Sequence, residues 1–172
     1  MYKKFYSILV FSSILISFIF SSLNSNIDSE NYIYPTDIIH ISSYYGYRML
    51  FNKQNFHNGI DFPAPENSKI YATKSGTITF CGFTSGYGIC VTILHFDGTK
   101  SMYGHMSEKI IVKVGEKIIQ GQTIGYVGPK VLSSGLQNGW TTGPHLHFSL
   151  FDVKGNTIDP SKFKYTKKVN NI

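Results

Sequence analysis

The sequence is poor in charged side chains, which make up 15% of its 172 residues, whereas soluble domains usually carry about a quarter. Hydrophobic residues nevertheless reach 42% and aromatic residues 15%, which is enough for a folded core. This combination excludes an intrinsically disordered chain, a coiled coil and a collagen-like repeat. The 16 glycines and the many tyrosines, isoleucines and threonines favour strands and tight turns over a helical bundle.

Arginine is almost missing, since Arg48 is the only one, and the lysines are scattered or lie near the chain ends. The formal net charge of +6 still suits a polyanionic partner such as an acidic cell wall. Nucleic acid is not an expected partner, because the sequence has no arginine-rich stretch.

Cysteine is also scarce, and only Cys81 and Cys90 are present. The lack of any cysteine in the first 80 residues excludes a bacterial lipoprotein anchor there, and the lack of a second pair disfavours a cysteine zinc site. If a hairpin turns at Ser85-Gly86, the two cysteines face each other and can form a cross-strand disulfide. Two buried free thiols fit the pattern equally well.

Long apolar runs are confined to the N-terminus, where two lysines precede the apolar stretch 5–20. Residues 1–25 therefore predict a secretory signal peptide, with an uncleaved N-terminal membrane anchor as the alternative. We expect an exported protein of the periplasm or cell envelope, whose only route to inner-membrane anchoring is this segment. Residues 26–40 are interpreted as a linker or short pro-segment, 41–162 as one domain, and 163–172 as a frayed basic tail.

No segment shows a sustained helical period, and short apolar runs instead alternate with glycine turns. Strands are predicted at residues 69–74, 76–81, 88–96, 100–106, 109–114, 122–127 and 144–151. Residues 128–143 are interpreted as a Gly/Ser/Asn-rich loop that carries the only tryptophan. The fold class expected is all-β, with few or no helices.

The first histidine motif is His-Asn-Gly-Ile-Asp, which places His57 and Asp61 four residues apart. Gly59 and the prolines that follow argue against a helix, whereas positions four apart share one face of a strand. A histidine and a carboxylate suit zinc, which accepts nitrogen and oxygen ligands. On its own this motif predicts a metal site only weakly.

The second motif is Gly-Pro-His-Leu-His-Phe, which places His145 and His147 on one face of a predicted strand. Two buried histidines cost desolvation energy unless a metal or a hydrogen-bond partner compensates. Core histidines with hydrogen bonds remain an alternative for this pair. A third motif, Tyr-Gly-His, contains His105. Of the remaining two histidines, His40 is a conceivable extra ligand in a latent form.

Taken together, His57, Asp61 and one of His145 or His147 supply three ligands, the number typical of a catalytic zinc site with an open position. The other histidine of that pair and His105 are then available for acid–base chemistry.

The motifs resemble those of the lysostaphin-type (LytM-like) zinc metallopeptidases, in the same order, between about residues 41 and 160. The matching segments are SSYYGYR, HNGIDFPAP, IYATKSGTITFCG, GYGICVTILHFDGTKSMYGHMS, VGEKIIQGQTIGYVG and TGPHLHFSL. The resemblance implies one zinc per chain, held by His57, Asp61 and His147, with His145 and His105 as the catalytic pair.

The same resemblance implies a single domain of antiparallel sheets around a long groove, of the duplicated-hybrid-motif type. The implied substrate is the peptide part of peptidoglycan, and a monomer is expected. We expect Asn58 to shape the turn between two ligands, and Tyr103 to donate to the oxyanion of the reaction. Arg48 is expected either to contact a substrate carboxylate or to form a structural ion pair.

Three other interpretations stay open. One is a catalytically silent member of the same fold that binds and activates another wall hydrolase. The second is a sugar-phosphotransferase carrier of related fold, which the signal segment disfavours, and the third is a purely structural β domain. Two departures from the family pattern also limit the transfer of roles: Ser149 stands where the family usually has an acid, and a loop within 129–141 is longer than usual.

Overall fold

Thirteen strands and one short 3-10 turn form the secondary structure of the described residues, 31–50 and 52–168, in the computed structural model. The strands are β1 (Tyr32–Ile33), β2 (Gly46–Leu50), β3 (Lys53–His57), β4 (Ile60–Phe62), β5 (Lys69–Tyr71), β6 (Gly76–Thr84), β7 (Gly88–His95), β8 (Lys100–Gly104), β9 (Lys117–Ile118), β10 (Thr123–Tyr126), β11 (Leu146–Phe151), β12 (Thr157–Ile158) and β13 (Tyr165–Thr166). The 3-10 turn spans Pro160–Lys162. The predicted all-β class is confirmed.

The prediction for residues 1–25 falls outside the described residues. So do the first residues of the predicted linker, 26–30, and the last residues of the predicted tail, 169–172. Within 31–50 and 52–168, no helix is long and apolar enough to cross a membrane.

A seven-stranded antiparallel sheet carries the core and the candidate site. Its order is β12-β11-β8-β7-β6-β9, and β4 also pairs with β11. Along β11 the side chains alternate, so that Leu146, Phe148 and Leu150 join the hydrophobic core. The same alternation aims His147 and Ser149 at the opposite face, which is therefore the face of the site.

Two smaller pairs of strands flank this sheet. β10 pairs with β5, and β2 pairs with β3 in a hairpin whose register sets Gly46 opposite His57 and Arg48 opposite Asn55. Exposed and half-buried positions alternate along β2, as expected for a hairpin with one covered face. The hairpin thus carries His57 and Arg48 to the edge of the site.

The β6–β7 hairpin favours free thiols over the cross-strand disulfide, the two alternatives that the sequence left open. Ile78 lies opposite Ile93, and continuing that register would set Cys81 opposite Cys90. A bulge between Ile78 and Phe80 shifts the register, so Cys81 faces Val91, and Cys90 faces Gly82. Both cysteines are free thiols, because neighbouring strand positions point to opposite faces.

The predicted strand at 109–114 is wrong. Those residues form no strand, although Val112 is buried and Ile110 packs against the core, as the apolar alternation suggested. The segment has inward-facing side chains without a strand partner, and the pairing with β6 is made instead by β9.

The two ends of the described chain pair with each other, which the sequence did not predict. β1 runs parallel to β13, with Tyr32 opposite Tyr165. Tyr32 and Ile33 are buried, and the ring of Tyr34 stacks on that of Tyr165 at 5.2 Å. Within the described residues, parts of the predicted linker or short pro-segment and of the predicted tail are therefore paired strands of the fold.

Candidate active site

Three side chains from three strands bring one ligand atom each to the same point. His57 ends β3, Asp61 lies in β4, and His147 lies in β11 directly opposite Asp61. The His57 Nε2 atom lies 3.1 Å from Asp61 Oδ1 and 3.0 Å from His147 Nδ1, and His147 Nδ1 lies 3.0 Å from the same Oδ1. These are the only residues among those described that form such a metal-binding group.

This triangle fits zinc. Zinc bonds to nitrogen and oxygen are about 2.0–2.2 Å long, and ligand atoms at that distance in a tetrahedron lie about 3.3 Å apart. Burial alone raises the pKa of Asp61, but the closely placed imidazoles of His147 and His57 lower it well below its usual range. An ionised carboxylate and two imidazoles are a donor set that zinc accepts, and three protein ligands leave a fourth position open.

Each of these three candidate ligands has a second partner that would select its coordinating atom. His57 donates its Nδ1–H to the Tyr44 carbonyl at 2.9 Å, which leaves Nε2 free. His147 Nε2 lies 2.8 Å from the Ser149 hydroxyl, which accepts the Nε2–H in the tautomer that leaves Nδ1 free. Arg48 Nη1 lies 3.4 Å from Asp61 Oδ2, the oxygen turned away from the two histidines. Such outer partners fix the tautomer and the orientation of metal ligands.

Gly59 is required by the close approach of the chain between two ligands. A Cβ atom there would lie 2.5 Å from the Phe148 carbonyl oxygen and 2.7 Å from both His147 Nε2 and Ser149 Oγ. The packing at this position therefore excludes any side chain.

His145 and His105 lie beside the three ligands with their rings 4.7 Å apart. His145 donates Nδ1–H to the Gly143 carbonyl at 2.8 Å, and its Nε2 lies 3.6 Å from Asp61 Oδ1. His105 donates Nδ1–H to the Asn138 carbonyl at 2.6 Å. Both rings therefore keep an unprotonated Nε2 when neutral. Burial, together with the charges of His145 and His147, lowers the pKa of His105 to about 3.

Asn138 is a residue that the sequence analysis missed. It is fully buried, and its side-chain amide donates to the carbonyls of Met106 and Pro129 while its oxygen accepts from the Ile89 N–H. These bonds fasten the loop 129–141 to the strands behind it, and the same residue's carbonyl holds His105. An Asn in a polar loop gives no sequence signal for this role.

A groove passes through the site in two arms. One arm is lined by Asn55, Phe56, Asn58, Tyr87 and Trp140, and the other by Ser42, Ser43, Pro63, Thr142 and Pro144. Arg48, Asp61 and His145 border both arms. The site therefore lies in the floor of an open channel that can take an extended chain.

Tyr87 is a second residue that the sequence analysis missed. It accepts a hydrogen bond from Asn58 and its ring lies 5.4 Å from that of His147. Tyr103, which was predicted to contact the oxyanion, is fully buried on the core face of β8, and its hydroxyl bonds Thr73 and Ser101. The structure therefore contradicts the role predicted for Tyr103 and brings Tyr87 to the groove instead.

The remaining predicted residues divide between the site and the surface. Arg48 forms the ion pair with Asp61 that was one of its two predicted roles. Asn58 lies between the ligands His57 and Asp61 and bonds Tyr87, so it shapes the groove wall. His40 is exposed and is not part of the metal-binding group.

Comparison with known proteins places these features in a larger group. The profile of Peptidase family M23 matches residues 55–160. The chain is 35% identical over 130 residues to DD-carboxypeptidase/endopeptidase Mpg of Neisseria meningitidis, which covers 74% of this chain and 28% of that protein. It is also 35% identical over 106 residues to Peptidoglycan DD-endopeptidase ShyA of Vibrio cholerae, covering 62% of this chain and 22% of that protein.

A solved structure gives the same result for the fold. The catalytic domain of the prophage-encoded M23 protein EnpA from Enterococcus faecalis is 32% identical with a TM-score of 0.61. The match covers 79% of this chain and 97% of that domain. The chain thus spans about a quarter of the two longer relatives but nearly the whole of this isolated domain.

Proposed function

Because the chain belongs to Peptidase family M23, we propose that it is a zinc-dependent endopeptidase that hydrolyses peptide bonds in peptidoglycan. The observation that carries the proposal is the triangle of His57 Nε2, Asp61 Oδ1 and His147 Nδ1, with two further histidines beside it. A catalytically silent binding module has no need for this complete set.

His57, Asp61 and His147 would hold the zinc ion. When bound, zinc polarises a scissile carbonyl and lowers the pKa of water toward about 7. The Arg48 guanidinium holds Asp61 Oδ2, and thereby presents Oδ1 to the metal. The ligands are buried, so water reaches the site only from the groove.

His145 and His105 assist the proton transfers of the reaction in different ways. Hydrolysis requires a group that takes a proton from the attacking water and returns one to the leaving amine. We assign this transfer to His145 Nε2, which lies next to the ligand atoms and is fixed by the Gly143 carbonyl. His105 stays neutral at physiological pH because burial lowers its pKa to about 3, so its Nε2 accepts a hydrogen bond and orients the water.

Tyr87 is the best-placed phenol for stabilising the negative charge that develops on the carbonyl oxygen. Burial raises the pKa of Tyr87, which keeps its O–H available as a donor. Its hydroxyl borders the groove next to Asn58, and both side chains can contact a bound peptide.

The substrate class follows from the groove and from the relatives. The two arms on either side of His145 suit an extended peptide, and the name of ShyA gives peptidoglycan as the material it cleaves. Action on peptidoglycan places the protein outside the cytoplasm, in the periplasm or cell envelope. The basic chain, with a formal charge of +6, is suited to an anionic wall.

Digestion of purified peptidoglycan tests the proposal. We expect the protein to release muropeptides from cross-linked wall, a chelator to stop the release, and added zinc to restore it. Mass analysis of the products then identifies the bond. Bound zinc without any cleavage would instead support the catalytically silent binding module.

A further inference from the structure

His147 uses its two ring nitrogens for different purposes. Nδ1 faces Asp61 Oδ1 and His57 Nε2, both at 3.0 Å, whereas Nε2 lies 2.8 Å from the Ser149 hydroxyl oxygen. The hydroxyl reaches Nε2 because positions two apart in a strand point to the same face, and both residues lie in β11.

The pair is enclosed. Ser149 is 0% exposed and His147 is 5% exposed. Gly59 closes the remaining side so tightly that even a Cβ atom there would lie 2.7 Å from both bonded atoms. The packing therefore leaves little room for water to replace the serine hydroxyl as the acceptor of the Nε2–H.

We propose that Ser149 is a positioning residue that fixes His147 as an Nδ1 ligand of the metal. The inference rests on the zinc site proposed above. The corresponding partner of His57 Nδ1 is the backbone carbonyl of Tyr44 at 2.9 Å, with the Ser43 hydroxyl at the longer distance of 3.4 Å, whereas the partner of His147 Nε2 is a side chain that a substitution can remove.

The hydroxyl does this without adding charge. Outer partners of metal-bound histidines are commonly carboxylates or carbonyls, and a carboxylate here would cancel the positive charge that zinc keeps with one Asp and two His. A serine orients the ring and leaves the net charge of the site at +1. Loss of the acceptor leaves a buried N–H unpaired and frees the ring to turn.

Zinc affinity of Ser149→Ala is the direct test, measured by competition with a chelating dye. Loss of such a partner typically costs about 10- to 100-fold in metal affinity, and we expect that loss here. Ser101→Ala is the matched control, because Ser101 is equally buried and its hydroxyl lies 3.0 Å from Nε2 of another histidine, His95. His95 is not one of the proposed metal ligands. The zinc affinity of Ser101→Ala should stay within about twofold of the wild type.

Two further readouts separate positioning from a general packing effect. In zinc-loaded wild-type protein the His147 Nε2–H proton should give an exchange-protected NMR signal, which Ser149→Ala should lose. Ser149→Thr keeps the hydroxyl and should restore both the signal and most of the affinity.

Tight zinc binding by Ser149→Ala, or an equal loss in Ser101→Ala, would overturn this inference and leave the zinc site standing. Wild-type protein that binds no zinc would overturn the proposed function and this inference together.

Discussion

Gly59 sets how closely the first two candidate metal ligands, His57 and Asp61, can approach the third, His147. Its missing side chain lets the turn after His57 pass against His147 and Ser149. The motif His-Asn-Gly-Ile-Asp therefore carries geometric information in its glycine as well as in its ligands.

Gly59→Ala should weaken zinc binding more than tenfold and lower the free energy of unfolding by about 1–3 kcal/mol, the usual cost of forcing extra atoms into a packed site. Isothermal titration with zinc and thermal unfolding measure the two effects. Gly86→Ala is the control, since a Cβ at Gly86 would meet nothing within 4 Å. Unchanged zinc binding in Gly59→Ala would contradict the packing argument.

Tyr87 and Tyr103 make a pair that separates catalysis from packing. We expect Tyr87→Phe to lower kcat about tenfold or more, because a donor to the developing oxyanion is lost, with little change in stability. Tyr103→Phe should lower stability by about 1–3 kcal/mol, because its hydroxyl serves Thr73 and Ser101 in the core, and should leave kcat close to wild type. Steady-state kinetics and chemical unfolding decide between them, and the reverse outcome would return the catalytic role to Tyr103.

The sequence alone predicted which residue types meet at the site but not all of their partners. Two short motifs can be recognised from the sequence alone, and they contain His57, Asp61, His145 and His147. Tyr87 and Asn138 do not stand in such motifs, because their roles depend on contacts with residues 29 and 49 positions away in the chain. The wrong choice of Tyr103 has a local cause: positions two apart in a strand share a face, but β8 ends at Gly104 and His105 has a left-handed φ of 55°, so the alternation does not extend from Tyr103 to His105.

Lys74 and Asp97 join two connections at the element scale. Asp97 lies in the turn between β7 and β8, and Lys74 lies between β5 and β6, with Nζ 2.6 Å from the Asp97 carboxylate. Burial alone raises the pKa of Asp97, but hydrogen bonds from Lys74 and Thr99 lower it to about 2. The ion pair therefore stabilises the folded state when Asp97 is ionised.

Stability should depend on pH through this pair. The folded pKa lies below the ordinary value of 3.8, so the contribution is complete above about pH 4 and is lost as the pH falls through 2. Because the Asp97 side chain is 41% exposed, solvent screening leaves about 1 kcal/mol. Asp97→Asn should lose that amount at pH 7 and only a small part of it at pH 2 in urea unfolding, because about half of the folded carboxylates are protonated at pH 2. A loss that is the same at both pH values would show that the charge is not responsible.

The elements that sequence patterns misjudged share one physical reason. Apolar alternation at 109–114 correctly indicates inward-facing side chains, but a strand also needs a neighbouring edge, which that segment lacks. The expectation that Cys81 and Cys90 face each other was wrong because a bulge near Thr79 shifts the strand pairing by one residue. Both outcomes depend on how distant strands pair, and a local sequence pattern does not contain that information.

At the scale of the whole molecule, the two ends of the described chain are joined to each other. β1 and β13 pair in parallel, and Phe163 and Tyr165 pack their rings against Tyr32 at 5.3 and 5.7 Å. The polar, lysine-rich composition around these aromatic residues concealed this contact, and a frayed tail was predicted there.

Removing residues 163–172 should therefore lower the free energy of unfolding by about 3 kcal/mol or more, because two large aromatic side chains and a strand pairing are lost. Thermal unfolding measures the change. Removing only residues 169–172 is the control, since it leaves the described aromatic contacts in place and should have little effect. Equal stability of the two truncated chains would support the frayed tail instead.

The central claim is that His57, Asp61 and His147 hold one zinc ion and that His145 transfers protons beside it. Zinc content and muropeptide release, measured on the same samples of wild type, Asp61→Ala and His145→Ala, test it most directly. We predict about one zinc and full release for the wild type, neither for Asp61→Ala, and about one zinc with release slowed 10²- to 10⁴-fold for His145→Ala. Zinc lost from His145→Ala, or both zinc and activity retained by Asp61→Ala, would contradict the account.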